Sequence, residues 1–182
     1  IRFPGRVGLA AGMDKDGRAA LAWQYLGFAF AELGTVTAQA QPGNERPRVF
    51  RLPADGALIN RMGFPNEGAE TAAARLRPLA ARPRDYLIGV SLGKQKETPL
   101  AEAAGDYIAV MRAVYAAADY LAVNISSPNT PGLRELQGGR YLQRLLQELA
   151  AESLRLAAGD ARKPLWVKIA PDLEPAELDE IL

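Results

Sequence analysis

The chain contains neither cysteine nor histidine. That excludes disulfide frameworks, thiolate nucleophiles, imidazole bases and the cysteine and histidine zinc sites, and no metal site is expected. Proton transfer or covalent chemistry therefore falls to Ser, Thr, Tyr, Lys, Asp, Glu or a cofactor. An excess of one charge is missing as well: 22 Lys and Arg stand against 21 Asp and Glu, interspersed along the chain, for a net charge of +1. No basic stripe marks a nucleic-acid partner, and none is expected. Long apolar runs are also lacking. Asp106, Arg112 and Asp119 interrupt the longest candidate, short of the roughly 18 to 20 residues that a membrane span needs. Low-complexity segments and Pro-, Gly- or Ser-rich linkers are absent, so nothing divides the chain into domains.

The 182 residues, 48% of them hydrophobic, can bury a core. Because the sequence opens at Ile1 and stops at Leu182 within a helical pattern, it reads as part of a longer protein. Short, nearly continuous apolar runs at Arg6–Gly12, Phe28–Val36, Tyr86–Gly93, Asp119–Ser126 and Pro164–Asp172 suit strands buried on both faces of a parallel sheet. Helical patterns separate them. Leu142, Leu145, Leu146 and Leu149 recur at i, i+3, i+4 and i+7, with Gly159 placed to stop the helix. Thr98-Pro99 reads as an N-cap followed by proline at the first helical position, and another helix is expected from Gly17 to Leu26, closing at Gly27. Asp55-Gly56, between two extended runs, signals a hairpin after the second strand that carries Asn60–Phe64 back over the strand ends.

Strand-helix alternation means an α/β fold, either a doubly wound sheet or the first part of an eight-stranded barrel. The strand ends choose between them. Each run terminates in polar or glycine-rich sequence: "AAGMDK", "ELGT", "SLGK", "NISSPN", "KIAPD". A barrel gathers all these ends at one mouth, whereas a doubly wound nucleotide-binding sheet concentrates its glycines in a G-x-G-x-x-G after strand one, which is absent here. The expected architecture is a (β/α)8 TIM barrel, truncated to about five strand-helix units with a β-hairpin insertion.

Chemistry collects at those ends. "NISSPN" offers amides that donate and accept, with hydroxyls between, suited to a flat polar ring; the same residues also make an ordinary turn. Lys168 interrupts an apolar strand, so it either faces outward or serves as a Schiff-base amine or a cation against a cofactor ring. Lys15 suits either a ligand or solvent, and Ala10, Ala11 and Gly12 either admit a planar ligand to the backbone or pack a core.

"VGLAAGMDKDG", "ELGTVT", "QPGNERPRVFRL", "INRMGF", "LGK", "VNISSPNTPGLR" and "VKIAPD" resemble, in order and spacing, the class 2 quinone-dependent dihydroorotate dehydrogenases. The likeness covers essentially the whole chain. Class 1 relatives use a cysteine base where this chain has Ser127, so the missing cysteine agrees with class 2. The resemblance implies oxidation of dihydroorotate to orotate, with hydride passing to FMN and on to a quinone, in pyrimidine (UMP) biosynthesis. Residues 1–182 would be the N-terminal part of one FMN-binding barrel domain. Ser127 matches the base, and Asn60, Asn124 and Asn129 match amides that hold the substrate. Lys15 matches a group near the substrate carboxylate, and the loop Asn60, Arg61, Met62, Gly63 and Phe64 matches a cover over the ring. Ala10, Ala11, Gly12, Lys15, Thr35, Ser91, Asn124 and Lys168 match flavin contacts, with Ser91 standing where the family usually has Asn. Phe64 and Thr130 match positions flanking a proton path.

The likeness also implies peripheral attachment to the cytoplasmic face of the cell inner membrane, or to the mitochondrial inner membrane in a eukaryote, through a segment outside these residues. Strands seven and eight, where such barrels hold the cofactor phosphate, would lie outside them too, so the isolated piece is expected to be inactive. Three other readings stay open: a Schiff-base aldolase barrel using Lys168, a non-catalytic barrel fragment, and another FMN barrel acting on pyrimidines, such as a reductase with nicotinamide input.

Overall fold

A computed structural model describes residues 1–181. In chain order the strands are β1 (Gly8–Leu9), β2 (Phe30–Val36), the hairpin β3 (Val49–Leu52) and β4 (Ala57–Asn60), then β5 (Leu87–Leu92), β6 (Tyr120–Asn124) and β7 (Leu165–Lys168). The helices are α1 (Ala22–Tyr25), α2 (Ala69–Ala80), α3 (Ala103–Val114), α4 (Gly139–Ala157) and α5 (Pro175–Ile181). β1, β2, β5, β6 and β7 form one parallel sheet in that order, and β3 pairs antiparallel with β4 outside it. Parallel neighbours joined through helices, with a hairpin set in after β2, make the truncated (β/α)8 barrel that the sequence predicts.

Period-two alternation gives the sheet two unlike faces. Ala31 and Leu33 of β2, Ile88, Val90 and Leu92 of β5, and Leu121 and Val123 of β6 are buried against the helices. There they meet Ala72, Ala73 and Leu76 of α2, Val110, Met111 and Val114 of α3, and Leu142, Leu145 and Leu149 of α4. The other face looks into the barrel interior. Phe3 crosses it, with ring centroids 4.8 Å from Phe30, 5.7 Å from Tyr120 and 5.4 Å from Trp166. Gly89 makes room for this cluster: a β-carbon there would lie 2.1 Å from Cζ of Tyr120.

Several local expectations shift. β1 is only two residues long. The helix expected over Gly17–Leu26 shrinks to α1, because Asp14 takes the N–H groups of Arg18 and Ala19 and the indole of Trp23 into a turn; Gly27 does close it, at φ +89°. Thr98 caps nothing. A 3-10 turn over Leu100–Glu102 precedes α3 and moves its start to Ala103, while the Thr98 carbonyl accepts from Nζ of Lys94. α4 ends one residue before expectation, with Ala158 itself left-handed at φ 51° ahead of Gly159. Leu146 of its apolar repeat is only partly buried.

Candidate active site

The carboxyl ends of the strands and the loop after β4 enclose a cavity of ≈ 420 Å³. Ala11 and Gly12 after β1, Thr35 of β2, Asn124 at the end of β6 and Lys168 at the end of β7 line it. Ser127 and Asn129 come from the loop after β6, and Asn60, Met62, Gly63 and Phe64 from the hairpin and the loop that follows it. The hairpin thus brings these predicted residues, though not Arg61, to the mouth.

Hydrogen bonds hold that loop in place. Nε2 of Gln41 donates to the carbonyls of Gly63 and Phe64 at 3.0 and 3.2 Å. Nδ2 of Asn44 donates to the carbonyls of Arg61 and Asn129, each at 3.1 Å, and so joins the two mouth loops. Nδ2 of Asn129 reaches Oδ1 of Asn60 at 3.3 Å. Phe64 has φ 51°, a strained backbone for an aromatic residue. Buried Asn66 supports it by donating to the Phe64 carbonyl at 2.8 Å and accepting from the N–H groups of Thr37 and Gly68.

A chain of hydrogen bonds runs under one wall. Nζ of Lys168 donates to Oγ of Ser126 at 2.8 Å, and that hydroxyl lies 2.8 Å from Oδ1 of Asn124. Nδ2 of Asn124 donates to Oγ1 of Thr35 at 2.7 Å, which lies 2.9 Å from Oγ of Ser91. Lys168 faces the cavity rather than the helices, and it is exposed because β7 is the edge of this sheet. Lys15 also lines the cavity, and its Nζ donates to the Gly12 carbonyl. Burial pushes the Lys15 ammonium below its ordinary pKa, with Asp16 drawing it back and Arg48 adding to the depression. A half-buried cation short of counter-charge favours an anionic ligand. Oγ of Ser127 accepts the Asn129 N–H at 3.2 Å and is otherwise open toward the cavity.

Other predicted residues stand off the wall. Ser91 is buried behind Thr35, and Ala10 is exposed beside the mouth. The Arg61 guanidinium turns away to the Pro47 carbonyl and over the Phe50 ring. Thr130 is buried, its hydroxyl without a hydrogen-bond partner. Sequence reasoning gave no role to Ser126, Asn44, Asn66 or Arg134. Nε of Arg134 donates to the Ser126 carbonyl at 3.2 Å, and its Nη1 pairs with Asp172, holding that carboxyl below the ordinary range. Ser126 and Arg134 lie inside "VNISSPNTPGLR" and Asn44 inside "QPGNERPRVFRL", but the tie from Asn44 to the Asn129 carbonyl and that between Asn66 and Thr37 depend on contacts distant in sequence. Among the described residues, no group of three or more His, Cys, Asp or Glu side chains is placed to hold a metal, and no helix is long and apolar enough to cross a membrane.

Comparison with known proteins fits this geometry. The family model for dihydroorotate dehydrogenase matches residues 1–182. Proteins named dihydroorotate dehydrogenase (quinone) from Chloroflexus aurantiacus and Thermus thermophilus are 54% and 53% identical to this chain over its full length, which spans 50% of each. The crystal structure of the Eimeria tenella enzyme in complex with ferulenol superposes with a TM-score of 0.91 at 37% identity, covering 100% of this chain and 53% of that one. The ligand-free Eimeria tenella structure gives 0.89 at 39% identity, over 98% and 54%. With its whole length matched by the family model and its fold shared with these enzymes, the chain belongs to the dihydroorotate dehydrogenase family.

Proposed function

We propose that the intact protein oxidises dihydroorotate to orotate with FMN as its cofactor and a quinone as its final acceptor, in pyrimidine biosynthesis. The observation that carries this reading is the convergence of Ser127, the amides of Asn60, Asn124 and Asn129, and the ammonium groups of Lys15 and Lys168 on one cavity. The chain itself spans about half the length of its curated relatives.

The residues present suit the polar edge of a flavin ring. Ala11 and Gly12 present little beyond backbone, and a β-carbon on Gly12 would meet nothing nearer than Nζ of Lys15 at 3.9 Å, so a flat ligand can approach closely. Lys168, Asn124 and Thr35 supply a cation, an amide and a hydroxyl along one wall. FMN, when bound, supplies the acceptor for the hydride that leaves C6 of the substrate. Lys168 would then place positive charge beside a ring that gains electrons.

Lys15 binds the substrate carboxylate, exchanging its hydrogen bond to the neutral Gly12 carbonyl for an ion pair. Asn60, Asn124 and Asn129 hold the pyrimidine carbonyls and N–H groups. Met62, Gly63 and Phe64 cover the ring and limit its contact with water. Ser127 takes the C5 proton on Oγ while releasing its own, because a hydroxyl at its free pKa is too weak a base to act without handing a proton on. Thr130, with its hydroxyl unpaired, and Phe64 flank that exit. Exposed Met13, Val49 and Leu58 near this end offer apolar surface to a quinone or a bilayer, in keeping with peripheral attachment to the inner membrane.

The test is the visible spectrum of the purified intact protein under anaerobic conditions. Flavin bands should bleach on addition of dihydroorotate and return with a soluble quinone. A protein that holds no flavin and cannot be reconstituted with it would end this reading.

A further inference from the structure

Ser126 has no part in the reaction just described, yet its hydroxyl stands between a cation and an amide. The residue is 5% exposed. Its Oγ lies 2.8 Å from Nζ of Lys168 and 2.8 Å from Oδ1 of Asn124, and its own N–H donates to that same Oδ1 at 3.0 Å. Proton counting fixes the direction of every bond. An ammonium has donors only, so Oγ of Ser126 accepts from Lys168 and commits its single proton to Asn124. Oδ1 of Asn124 then serves two donors, which leaves Nδ2 to point at Oγ1 of Thr35, 2.7 Å away. Thr35, having accepted, keeps its own proton for Ser91.

The arrangement matters because Lys168 needs a tether. Its side chain is long and rich in rotamers, and it lines the cavity from the end of β7. A competing partner stands on the same inward face: Glu32, whose carboxyl burial pushes above the ordinary pKa and Lys168 draws back. Without the Ser126 hydroxyl, the ammonium is free to swing toward that carboxylate, and Asn124 loses one of the two donors that set its orientation.

We propose that Ser126 is a positioning residue that locks the Lys168 ammonium and the Asn124 amide into one geometry toward a planar ring ligand. This rests on the FMN reading above, with the cation held at the edge of the ring where negative charge grows on reduction. It also accounts for a serine, not merely a turn former, at this place in "NISSPN".

Two measurements on the intact protein test it. In the flavin-loaded form, Ser126→Ala should retain flavin but shift the oxidised-to-reduced ratio at a fixed poise by about tenfold toward oxidised, the scale of one hydrogen bond to a charged group. For a two-electron couple that is a midpoint about 30 mV lower. Ser126→Thr, which keeps the hydroxyl, should move the midpoint back toward that of the wild type. Lys168→Met should lower the potential too, and Ser126→Ala should add nothing on that background, as expected for two residues acting as one unit. In the flavin-free form, acetylation of Lys168 by acetic anhydride, followed by peptide mass spectrometry, should be several-fold faster in Ser126→Ala than in the wild type. Unchanged potential and unchanged labelling in Ser126→Ala would overturn the proposal, as would a potential shift that adds in full to that of Lys168→Met. A wild-type protein that takes up no flavin would instead defeat the FMN reading, and the labelling rates would still decide whether Ser126 tethers Lys168.

Discussion

Leu121 and Val123 of β6 face the helices, while Tyr120, Ala122 and Asn124 on the same strand face the barrel interior, and the two sets obey different rules. The helix side is apolar, closed and interchangeable in kind. On the interior side almost every residue is particular: an aromatic fitted over a glycine at one end of the sheet, and an amide tied into a directed hydrogen-bond chain at the other. Alternation along a strand lets one short segment supply stability and chemistry independently.

The largest expected effect tests that independence. Ser127→Ala should lower turnover by about 10²- to 10⁴-fold, the usual range for a positioned base, while flavin content and thermal midpoint stay as in the wild type. Steady-state assay with dihydroorotate and a soluble quinone, beside the flavin spectrum, reads both. Loss of flavin or of folding in this variant would mean that the mouth is structural as well, and near-normal turnover would remove Ser127 from the base role.

The mirror experiment lies on the other face. Leu121 is 1% exposed, beneath the helix layer. Leu121→Ala should cost about 2–5 kcal/mol of stability through lost burial and the cavity left behind, yet turnover per folded molecule should not change. Chemical denaturation with activity normalised to folded protein checks this. A fall in normalised turnover would show that the faces are coupled.

The helix-facing side and the strand ends were legible in the sequence because each depends on local pattern. Continuous apolar runs mark buried parallel strands, and the abrupt polarity of "NISSPN" marks a mouth. Asp55-Gly56 likewise marked the hairpin that delivers Asn60 to the site, with Gly56 at φ 58°. What stayed hidden depends on partners far apart in sequence. The tie from Asn44 to the Asn129 carbonyl spans 85 positions, and the pairing of Thr35 with Ser91 spans 56. No local propensity records such contacts. Asp14 shows the same limit on a shorter scale, since its side chain competes for N–H groups that a propensity argument assigns to a helix.

A smaller effect probes the aromatic end of the interior face. A β-carbon at Gly89 would fall 2.1 Å from Cζ of Tyr120, with the ring already 4.8 Å from Trp166. Gly89→Ala should therefore cost about 1–3 kcal/mol, the range for overpacking a filled site. On a Tyr120→Ala background the cost should largely vanish, because the atom it strikes is gone. Equal costs on both backgrounds, measured by denaturation midpoints, would mean that Gly89 serves the backbone of β5 rather than the ring.

The smallest effect concerns Glu32, and it carries a sign. Burial raises the pKa of this inward-facing carboxyl, and Lys168 offsets part of the rise. Where the folded pKa lies above the unfolded one, the folded state holds the proton more tightly. The stability that this contributes is fully present below the unfolded pKa and is lost as pH rises through the folded value. Glu32→Gln imitates the protonated form at every pH. It should therefore be more stable than the wild type at about pH 8, with the gap closing by about pH 4, near the ordinary glutamate value. Lys168→Met removes the cation that holds the pKa down, so the wild-type carboxylate becomes costlier and the gap at the higher pH should widen. Thermal midpoints of the four combinations across pH would show this directly. Parallel curves for wild type and Glu32→Gln would mean that the interior face carries its acid without cost, and that its polarity is set by the mouth residues alone.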